Sequence, residues 1–428
     1  MTSAPAHLSA NFANTWYADT AVAASDCHRI EDIDGLYDVA VIGAGLAGLS
    51  AAFHLAQSGA RVILIEKYNI GDAASGRNGG FCTNGWASSA PAIEKLLRPD
   101  NAAALDALAS EGLEWMRARC FSQSYSACQP VNGCLTLSLF ADDPLPITQS
   151  KLGDFIKGPR YKSGSVDHEG FHFHPLNFLR CLAADCLEAG VTILQNCPVL
   201  HMKRDKNTRT LITVGPNKNE IAAKTTVITT GGTGGMQFKK LSKLLVPVQT
   251  FIAVSAPMPE ILTQHIPTPY AIADTRRAGN YFRKLPDGRL LWGMGISALA
   301  APNSAYVRRL ALQDIAAHLP EMAKEMAAAK IGLDYAWSGT MGYARHFMPY
   351  VGPLGRNSFC AAGFGGHGMN TAPIAGKLIA EVISGNDNRL APFHAVPKQQ
   401  TYGTLGKTAA EAYYRMIQGK DRLKEFLA

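Results

Sequence analysis

The sequence predicts an α/β fold on three observations. A short apolar strand, a glycine-rich turn, a helix and a second strand follow one another within residues 38–65, which is the order of a parallel β-α-β unit. Further apolar runs rich in β-branched residues, such as 246–254 and 290–296, indicate strands in the second half of the chain. Apolar residues make up 47% of the 428 residues, so the chain can bury a large core and form two or three domains.

Charge and cysteine content narrow the class of protein. Lys and Arg exceed Asp and Glu by 41 − 34 = 7, and the excess is spread along the chain, so we expect no nucleic-acid partner and a mild preference for anionic ligands. The nine cysteines are odd in number and lack a CxxC pair, and residues 1–36 lack a signal-peptide pattern. These features predict a reduced, cytoplasmic protein and leave its oligomeric state open.

The 22 residues 39–60 carry no Asp, Glu, Lys or Arg and so imitate a membrane span. Four glycines interrupt the stretch, and its two halves have different periods. We therefore expect no membrane span, and we assign the stretch to the β-α-β unit. Its elements are a strand at Asp38–Ile42, a helix at Leu46–Gln57 and a strand at Arg61–Ile65.

The glycine-rich turn has the spacing of a dinucleotide-binding fingerprint. Gly43 permits the tight turn, Gly45 lets backbone approach a pyrophosphate, and Gly48 lets the helix lie close to the strand. Glu66 follows the second strand and can accept hydrogen bonds from an unphosphorylated ribose, which favours FAD or NAD over NADP. The predicted binding residues here are Gly43, Ala44, Gly45, Leu46, Ala47, Gly48, Glu66 and Lys67.

Three more segments favour FAD over NAD. The first is a glycine-rich loop at 71–80, which follows the second strand. The second is a β-rich stretch that starts near residue 199 and ends in a strand at 222–232. The third is a glycine turn at 363–368, which precedes a C-terminal helix whose dipole would stabilise negative charge. A bare structural loop is the alternative for the first and last of these. The additional cofactor residues predicted are Ser75, Gly76, Arg77, Asn78, Gly79, Gly80, Val199, Thr230, Gly231, Gly365, Gly366, His367, Gly368 and Met369.

Taken together, these segments resemble the D-amino-acid-oxidase-like superfamily of FAD oxidoreductases, and within it bacterial γ-glutamylputrescine oxidases and the related L-pipecolate oxidases. The features that carry the resemblance occur in family order: Tyr37–Gly45, Ser75–Gly80, His174–Asn177, Asp334–Gly339 and Gly366–Gly368. The resemblance implies a Rossmann-like FAD-binding domain at 1–92, 166–246 and 332–428. It also implies an interleaved antiparallel-sheet substrate domain at 93–165 and 247–331.

The resemblance also implies the chemistry. A hydride equivalent would pass from the carbon next to a substrate amine to flavin N5, giving an imine, and O2 would be reduced to hydrogen peroxide. γ-Glutamylputrescine and L-pipecolate represent two substrate types that the sequence does not separate. A dehydrogenase that passes electrons to a quinone or another acceptor, and a flavoprotein that modifies a partner protein, remain alternatives.

Two departures from related enzymes bear on this reading. Monomeric sarcosine oxidases carry an oxygen-activating Lys two residues after the Gly-His-Gly turn, where this chain has Asn370. Those enzymes also hold flavin through a Cys shortly before the turn, whereas residues 334–353 contain no Cys, so we expect non-covalent FAD.

Five residues are candidates for the reaction itself. His367 would stabilise reduced flavin or the oxygen encounter, or else only bond the helix start, and Asn370 stands at the oxygen-activating position. Arg77 would contact the flavin or a substrate carboxylate, or else only brace its loop. Arg283 and Tyr281 share a strand face and could clamp a carboxylate, unless Arg283 is a surface residue. We expect no metal, although His172 and His174 share a strand face.

Overall fold

The computed structural model describes residues 14–206, 208–233, 238–300, 302–385 and 389–427. Within these ranges, two β-sheets and the helices around them make up the fold. The strands are β1 (Leu36–Ile42), β2 (Val62–Ile65), β3 (Phe81–Cys82), β4 (Val131–Ser138), β5 (Ile147–Thr148), β6 (Ser163–His172), β7 (Thr192–Leu194), β8 (Val199–Arg204), β9 (Thr210–Val214), β10 (Asn219–Ile228), β11 (Val246–Ser255), β12 (Ala271–Asp274), β13 (Tyr281–Lys284), β14 (Leu290–Ser297), β15 (Leu333–Tyr343), β16 (Tyr350–Gly355) and β17 (Ser358–Ala362).

The helices are α1 (Trp16–Thr20), α2 (Leu46–Gln57), α3 (Ala74–Arg77), α4 (Ala90–Leu96), α5 (Pro99–Cys120), α6 (Pro175–Glu188), α7 (Lys239–Ser242), α8 (Pro259–His265), α9 (Ser304–His318), α10 (Pro320–Ala328), α11 (Gly368–Ile383), α12 (Ala391–His394) and α13 (Thr404–Leu427). None of the described helices is long and apolar enough to cross a bilayer.

The first sheet has the order β16-β17-β10-β1-β2-β7, and its central pairs are parallel. The β1 strand is buried along most of its length, as a strand covered on both faces must be. The β8 and β9 strands add an antiparallel meander to β10. This arrangement confirms the predicted Rossmann-like part of the fold.

The second sheet has the order β15-β11-β14-β13-β12-β4-β6-β3, with β5 beside β6, and only the β12–β4 pair is parallel. It packs against α9 and α10 through its own apolar cluster, separate from the cluster under α2, α6 and α11. Strands β3 and β15, which come from the predicted FAD-binding segments, also belong to this sheet.

Two helices cross closely enough to bring their N-termini to one place. A Cβ added to Gly376 of α11 would lie 2.8 Å from Ala51 N and closer still to Ala47 O, so only glycine permits this approach of α11 to α2. The buried Ser50 hydroxyl also donates to Pro373 O across the crossing (2.7 Å). The crossing therefore fixes α2 and α11 relative to each other beside the carboxyl end of β1.

Most predicted elements are confirmed. The helix predicted at Leu46–Gln57 has these bounds in the structure. The strand predicted at 222–232 is β10, which ends at Ile228, because the chain leaves the sheet at Thr229 to meet the glycine turn.

Candidate active site

A cavity of about 720 Å³ lies between the two sheets and is lined from both. The glycine turn, the loop after β2 and the start of α11 contribute one side, and strands β13, β14 and β15 contribute the other. Its volume falls in the range of cofactor and ligand sites. The cavity is therefore the candidate active site.

The glycine turn is held by backbone geometry. Gly43 has a φ of +104°, a region that glycine adopts without strain. Gly45 is the N-cap of α2 and lines the cavity. A Cβ on Gly48 would lie 2.7 Å from Thr229 Oγ1 and closer to Gly43 O, so Gly48 keeps the helix against the turn. The first turn of α2, with its outward N–H groups, consequently begins at the cavity wall.

Glu66 ties the end of β2 to the glycine turn. Its carboxylate accepts hydrogen bonds from Ala44 N (2.7 Å) and Tyr68 N (3.0 Å). Burial raises the pKa of Glu66, while these backbone bonds act in the opposite direction. The side chain also lines the cavity, which places an acceptor where the ribose of a dinucleotide is predicted.

The loop at 71–80 folds over the start of α2. Ser75 Oγ accepts from Leu46 N (3.2 Å), and the Asn78 amide donates to Ala74 O (3.0 Å) and Ser75 O (2.7 Å). Gly80 N donates to Asn78 Oδ1 (2.8 Å). These bonds give the loop one conformation beside the helix N-terminus.

Arg77 is a buried cation on the cavity wall, with 2% of its surface exposed. Burial lowers its pKa to about 10, partly offset by Asp72, so the guanidinium remains charged at neutral pH. Its carbonyl accepts from Trp337 Nε1 (2.9 Å) on β15. Arg77 thus lies where the loop at 71–80 meets the second sheet.

The C-terminal glycine turn forms another wall of the cavity. Gly365 and Gly366 both have positive φ values, and His367 is the N-cap of α11. His367 Nε2 donates to Asn84 O (3.2 Å), and burial lowers the pKa of the imidazole, so it is neutral at pH 7. The buried Asn370 amide donates to Gly85 O and Ala109 O (both 3.2 Å). Neither side chain therefore supplies a fixed positive charge at this end.

Aromatic side chains form a further part of the cavity lining, which we call the aromatic wall. It is formed by Tyr281, Tyr343, Phe347 and Tyr414. Burial raises the pKa values of the three tyrosines, so they are neutral phenols. The Arg277 guanidinium lies 4.1 Å from the centre of the Phe347 ring and also lines the cavity. No carboxylate of the described residues forms an ion pair with Arg277, in contrast to Arg276, which pairs with Asp274.

The structure corrects the placement of Arg283. It lies behind the cavity lining, and its guanidinium donates to Gly79 O (2.8 Å), Phe173 O (2.9 Å), Tyr17 Oη (3.2 Å) and His172 Nδ1 (3.2 Å). With its donors occupied by the protein, Arg283 braces the loop at 79–80 and does not clamp a substrate with Tyr281. His172 in turn donates to Pro269 O (3.0 Å), which leaves no vacant ring nitrogen.

The predicted cofactor residues otherwise divide into lining and supporting groups. Four of them support the wall without lining it, since their backbone or Cβ positions face other parts of the protein: Ala44, Gly48, Gly76 and Gly80. The others line the cavity: Gly43, Gly45, Leu46, Ala47, Glu66, Lys67, Ser75, Arg77, Asn78, Gly79, Val199, Thr230, Gly231, Gly365, Gly366, His367, Gly368 and Met369. Tyr281 and Asn370 line it as well.

Several lining residues were not predicted from the sequence. Arg276 and Arg277 stand next to each other just before β13, and this arginine pair beside a strand rich in aromatics could have indicated a binding site for an anionic group. Met341 and Tyr343 lie on β15, just after the Asp334–Gly339 feature that carries the resemblance. Tyr414 reaches the cavity from α13, and no local pattern indicates that.

The donor set fits FAD. Two helix N-termini open onto one cavity, glycines line it at Gly43, Gly45 and Gly366, and Glu66 offers an acceptor beside the first turn of α2. A helix N-terminus and glycine backbone suit the pyrophosphate, and the second helix N-terminus suits an electron-rich flavin carbonyl. This combination defines a flavin-dependent oxidoreductase.

Comparison with known proteins identifies the family. Residues 38–382 match the family model DAO, FAD dependent oxidoreductase, and the chain belongs to this family, so FAD is its cofactor. It is similar to γ-glutamylputrescine oxidoreductase of Escherichia coli, with 28% identity over 412 residues that cover 90% of this chain and 93% of the relative. It is also similar to the probable oxidoreductase OrdL of Haemophilus influenzae, with 27% identity over 409 residues, 89% of this chain and 91% of the relative.

Solved structures share the fold. Glycine oxidase from Geobacillus kaustophilus superimposes with a TM-score of 0.66 at 20% identity and covers 86% of this chain and 100% of its own. L-Proline dehydrogenase from P. horikoshii also has a TM-score of 0.66, at 17% identity, covering 85% of this chain and 98% of its own. At these identities the likeness is one of fold.

Proposed function

We propose that this oxidoreductase acts on the C–N bond of a small amine or amino acid that carries a carboxylate. The observation that carries the proposal is that the aromatic wall, Arg277 and the glycine turns line one cavity. Neutral phenols and a phenyl ring suit the methylene groups of such a substrate, and Arg277 suits its carboxylate. The similarity to γ-glutamylputrescine oxidoreductase over most of both chains supports the same class of substrate.

When bound, FAD supplies the acceptor for the hydride equivalent on the carbon next to nitrogen. The chain's own residues would prepare the substrate for this transfer. The buried charge of Arg77 disfavours an ammonium ion nearby and so lowers the pKa of a substrate amine towards its neutral form. The aromatic wall excludes water from the reacting carbon, and Arg277 fixes the carboxylate and thereby the orientation of the amine.

Two substrate types fit this arrangement. A long ω-amine such as γ-glutamylputrescine would span from Arg277 to the flavin, whereas a cyclic secondary amino acid such as L-pipecolate would hold its carboxylate close to the reacting carbon. Loss of two electrons and two protons converts either to an imine. We propose that O2 accepts the two electrons and the two protons, giving hydrogen peroxide.

A dehydrogenase with a quinone or another acceptor is the second candidate function. It is favoured by the neutral Asn370 amide, whose donors are occupied by Gly85 O and Ala109 O, and by the lowered pKa of His367. A fixed cation near the flavin would stabilise developing superoxide, and this end of the cavity does not supply one. In an oxidase, the buried charge of Arg77 would have to stabilise the superoxide instead.

Anaerobic bleaching of the bound flavin tests the proposed function. The holoenzyme is mixed with a panel of ω-amines and cyclic and acyclic amino acids, each beside a neutral amide analogue of its carboxylate. We expect bleaching by a carboxylate-bearing amine and much weaker bleaching by its analogue. Bleaching by no small molecule would contradict the proposal and favour a flavoprotein that modifies a partner protein.

Arg277 provides a sharper arm of the same test. Loss of a charge-assisted contact removes about 1.5–3 kcal/mol, so Arg277→Met should raise the substrate KM roughly 10- to 100-fold while kcat changes less. Arg309→Met is the matched control, because Arg309 also stacks on an aromatic ring (Tyr306, 5.4 Å) but does not line the cavity. Equal effects of the two substitutions on KM would show that Arg277 does not bind the substrate.

A further inference from the structure

The C-terminal helix α13 has two unlike faces. Its inner face packs on β11 and β14, where Tyr414 is buried and reaches the cavity. Glu411 on this face accepts from Ser297 Oγ (2.8 Å) and Ala298 N (2.9 Å). The inner face therefore anchors the helix, and its orientation is fixed.

The opposite face carries an apolar row, which we call the outer seam: Leu405, Ala409, Ala412, Met416, Gly419 and Leu423. The spacing of four, three, four, three and four places these residues along one line of the helix. Leu405, Met416 and Leu423 are 77%, 49% and 58% exposed, with Tyr413 exposed beside them. Over 19 residues, with a rise of about 1.5 Å at each of the 18 steps, the seam is about 27 Å long.

The charges that flank the outer seam are cationic. Arg415, Lys420 and Arg422 flank the outer seam and are exposed. The acidic Glu411 and Glu425 are turned towards the protein, where Glu425 receives two hydrogen bonds from Arg160. Arg415 reaches back to Glu411 (3.0 Å), yet its side chain stays 65% exposed. The seam is thus an apolar strip bordered by cations.

A second copy of the helix is a poor match for this strip. In a paired helix the positions beside the seam face each other, and here these positions carry Arg415, Lys420 and Arg422, so like charges would meet. Three of the six seam residues are Ala or Gly, which would leave a thin apolar core between two copies. Lipid chains fill the space beside small side chains, so contact with lipid does not leave the apolar strip poorly packed.

We propose that the outer seam of α13 binds the surface of an anionic membrane. Exposed Leu, Met and Tyr side chains would enter the boundary between headgroups and acyl chains, while the flanking cations contact anionic headgroups. A chain predicted to be cytoplasmic meets such a surface at the inner leaflet of the cell membrane.

This docking would bring the active-site cavity close to the lipid. Tyr414 lines the cavity from the inner face of the same helix that presents the seam outwards. The cavity wall would then lie about one helix diameter, roughly 10 Å, from the headgroups. The outer seam would bind the membrane whichever amine the cavity accepts.

Sedimentation of the FAD-loaded full-length protein with vesicles tests the proposal. Vesicles of phosphatidylcholine containing phosphatidylglycerol are compared with phosphatidylcholine alone, at low and high salt. We expect binding to the anionic vesicles that weakens at high salt. Lys420→Gln with Arg422→Gln should lower the partition coefficient roughly 10- to 30-fold, and Met416→Ser with Leu423→Ser about tenfold or more.

A matched double variant, Lys95→Gln with Arg98→Gln, removes the same charge from exposed positions around α4 and should bind as wild type does. The FAD-to-protein ratio of each variant reports that it is folded. Equal losses in the two charge variants, or equal binding to neutral vesicles, would overturn the proposal. Absence of vesicle binding would overturn it too, as would a dimer in light scattering that Met416→Ser with Leu423→Ser dissolves.

Discussion

Replacement of Gly48 by Ala should separate α2 from the glycine turn. The added Cβ would lie 2.7 Å from Thr229 Oγ1, about 0.6 Å inside a normal C···O contact of roughly 3.3 Å, and closer still to Gly43 O. Thr229 donates from its backbone N to Ile42 O (2.9 Å) and from Oγ1 to Gly43 O (2.8 Å), so the helix cannot shift without straining these bonds. Overpacking costs about 1–3 kcal/mol and each strained bond about 1 kcal/mol, which together come to roughly 3–5 kcal/mol.

This loss is a large share of the stability of a typical protein. We expect Gly48→Ala to lower the urea midpoint and to leave most of the protein without FAD, because the first turn of α2 moves from its place. Gly419→Ala is the control: it is also a helical glycine, nothing lies within 4 Å of its added Cβ, and it should stabilise α13 by up to about 1 kcal/mol. A Gly48→Ala protein with the wild-type midpoint and FAD content would refute this account of the turn.

Three further predictions concern the cofactor, oxygen and acid. Gly45→Val should give colourless protein, since the side chain would enter the cavity at the predicted pyrophosphate; a normal FAD content would contradict this placement. Asn370→Lys should speed reoxidation by O2 in stopped-flow experiments about 10²-fold. His367→Ala should slow reoxidation by less than this factor, because the imidazole is already neutral. An unchanged rate in Asn370→Lys would show that charge at this end of the cavity does not control the oxygen step. Burial lowers the pKa values of His172 and His174 to about 3, below the ordinary 6.5, so the unfolded chain binds more protons in acid. The free energy of unfolding should therefore fall as the pH drops from 6.5 towards 3, by about 2 kcal/mol per histidine at about pH 5; urea midpoints that do not change over this range would contradict it.

Local patterns were enough to predict the nucleotide part of the fold. The bounds of α2, the role of Gly43 and the approach of Glu66 to the turn all follow from residues within 30 positions of one another. Their geometry is set by backbone sterics and helix periodicity, which short segments encode. The same holds for the C-terminal turn and α11.

The substrate side depends on contacts between distant segments, and there prediction failed in particular places. Arg283 was expected to face the substrate, but Tyr17, Phe173 and Gly79, each more than 100 residues away in sequence, take its donors. Tyr414 enters the cavity from a helix that looks like any amphipathic helix. Which buried surface receives such a side chain is a property of the assembled fold, so a single sequence does not disclose it.

The proposed function requires that the chain break the C–H bond next to a substrate nitrogen inside this cavity. The most direct measurement is the rate of anaerobic flavin reduction at saturating substrate, with deuterium placed either on the carbon next to the amine or on a remote carbon. We predict a several-fold slower reduction for the first substrate and an unchanged rate for the second. Equal rates for both, with reduction still limited by chemistry, would contradict the account.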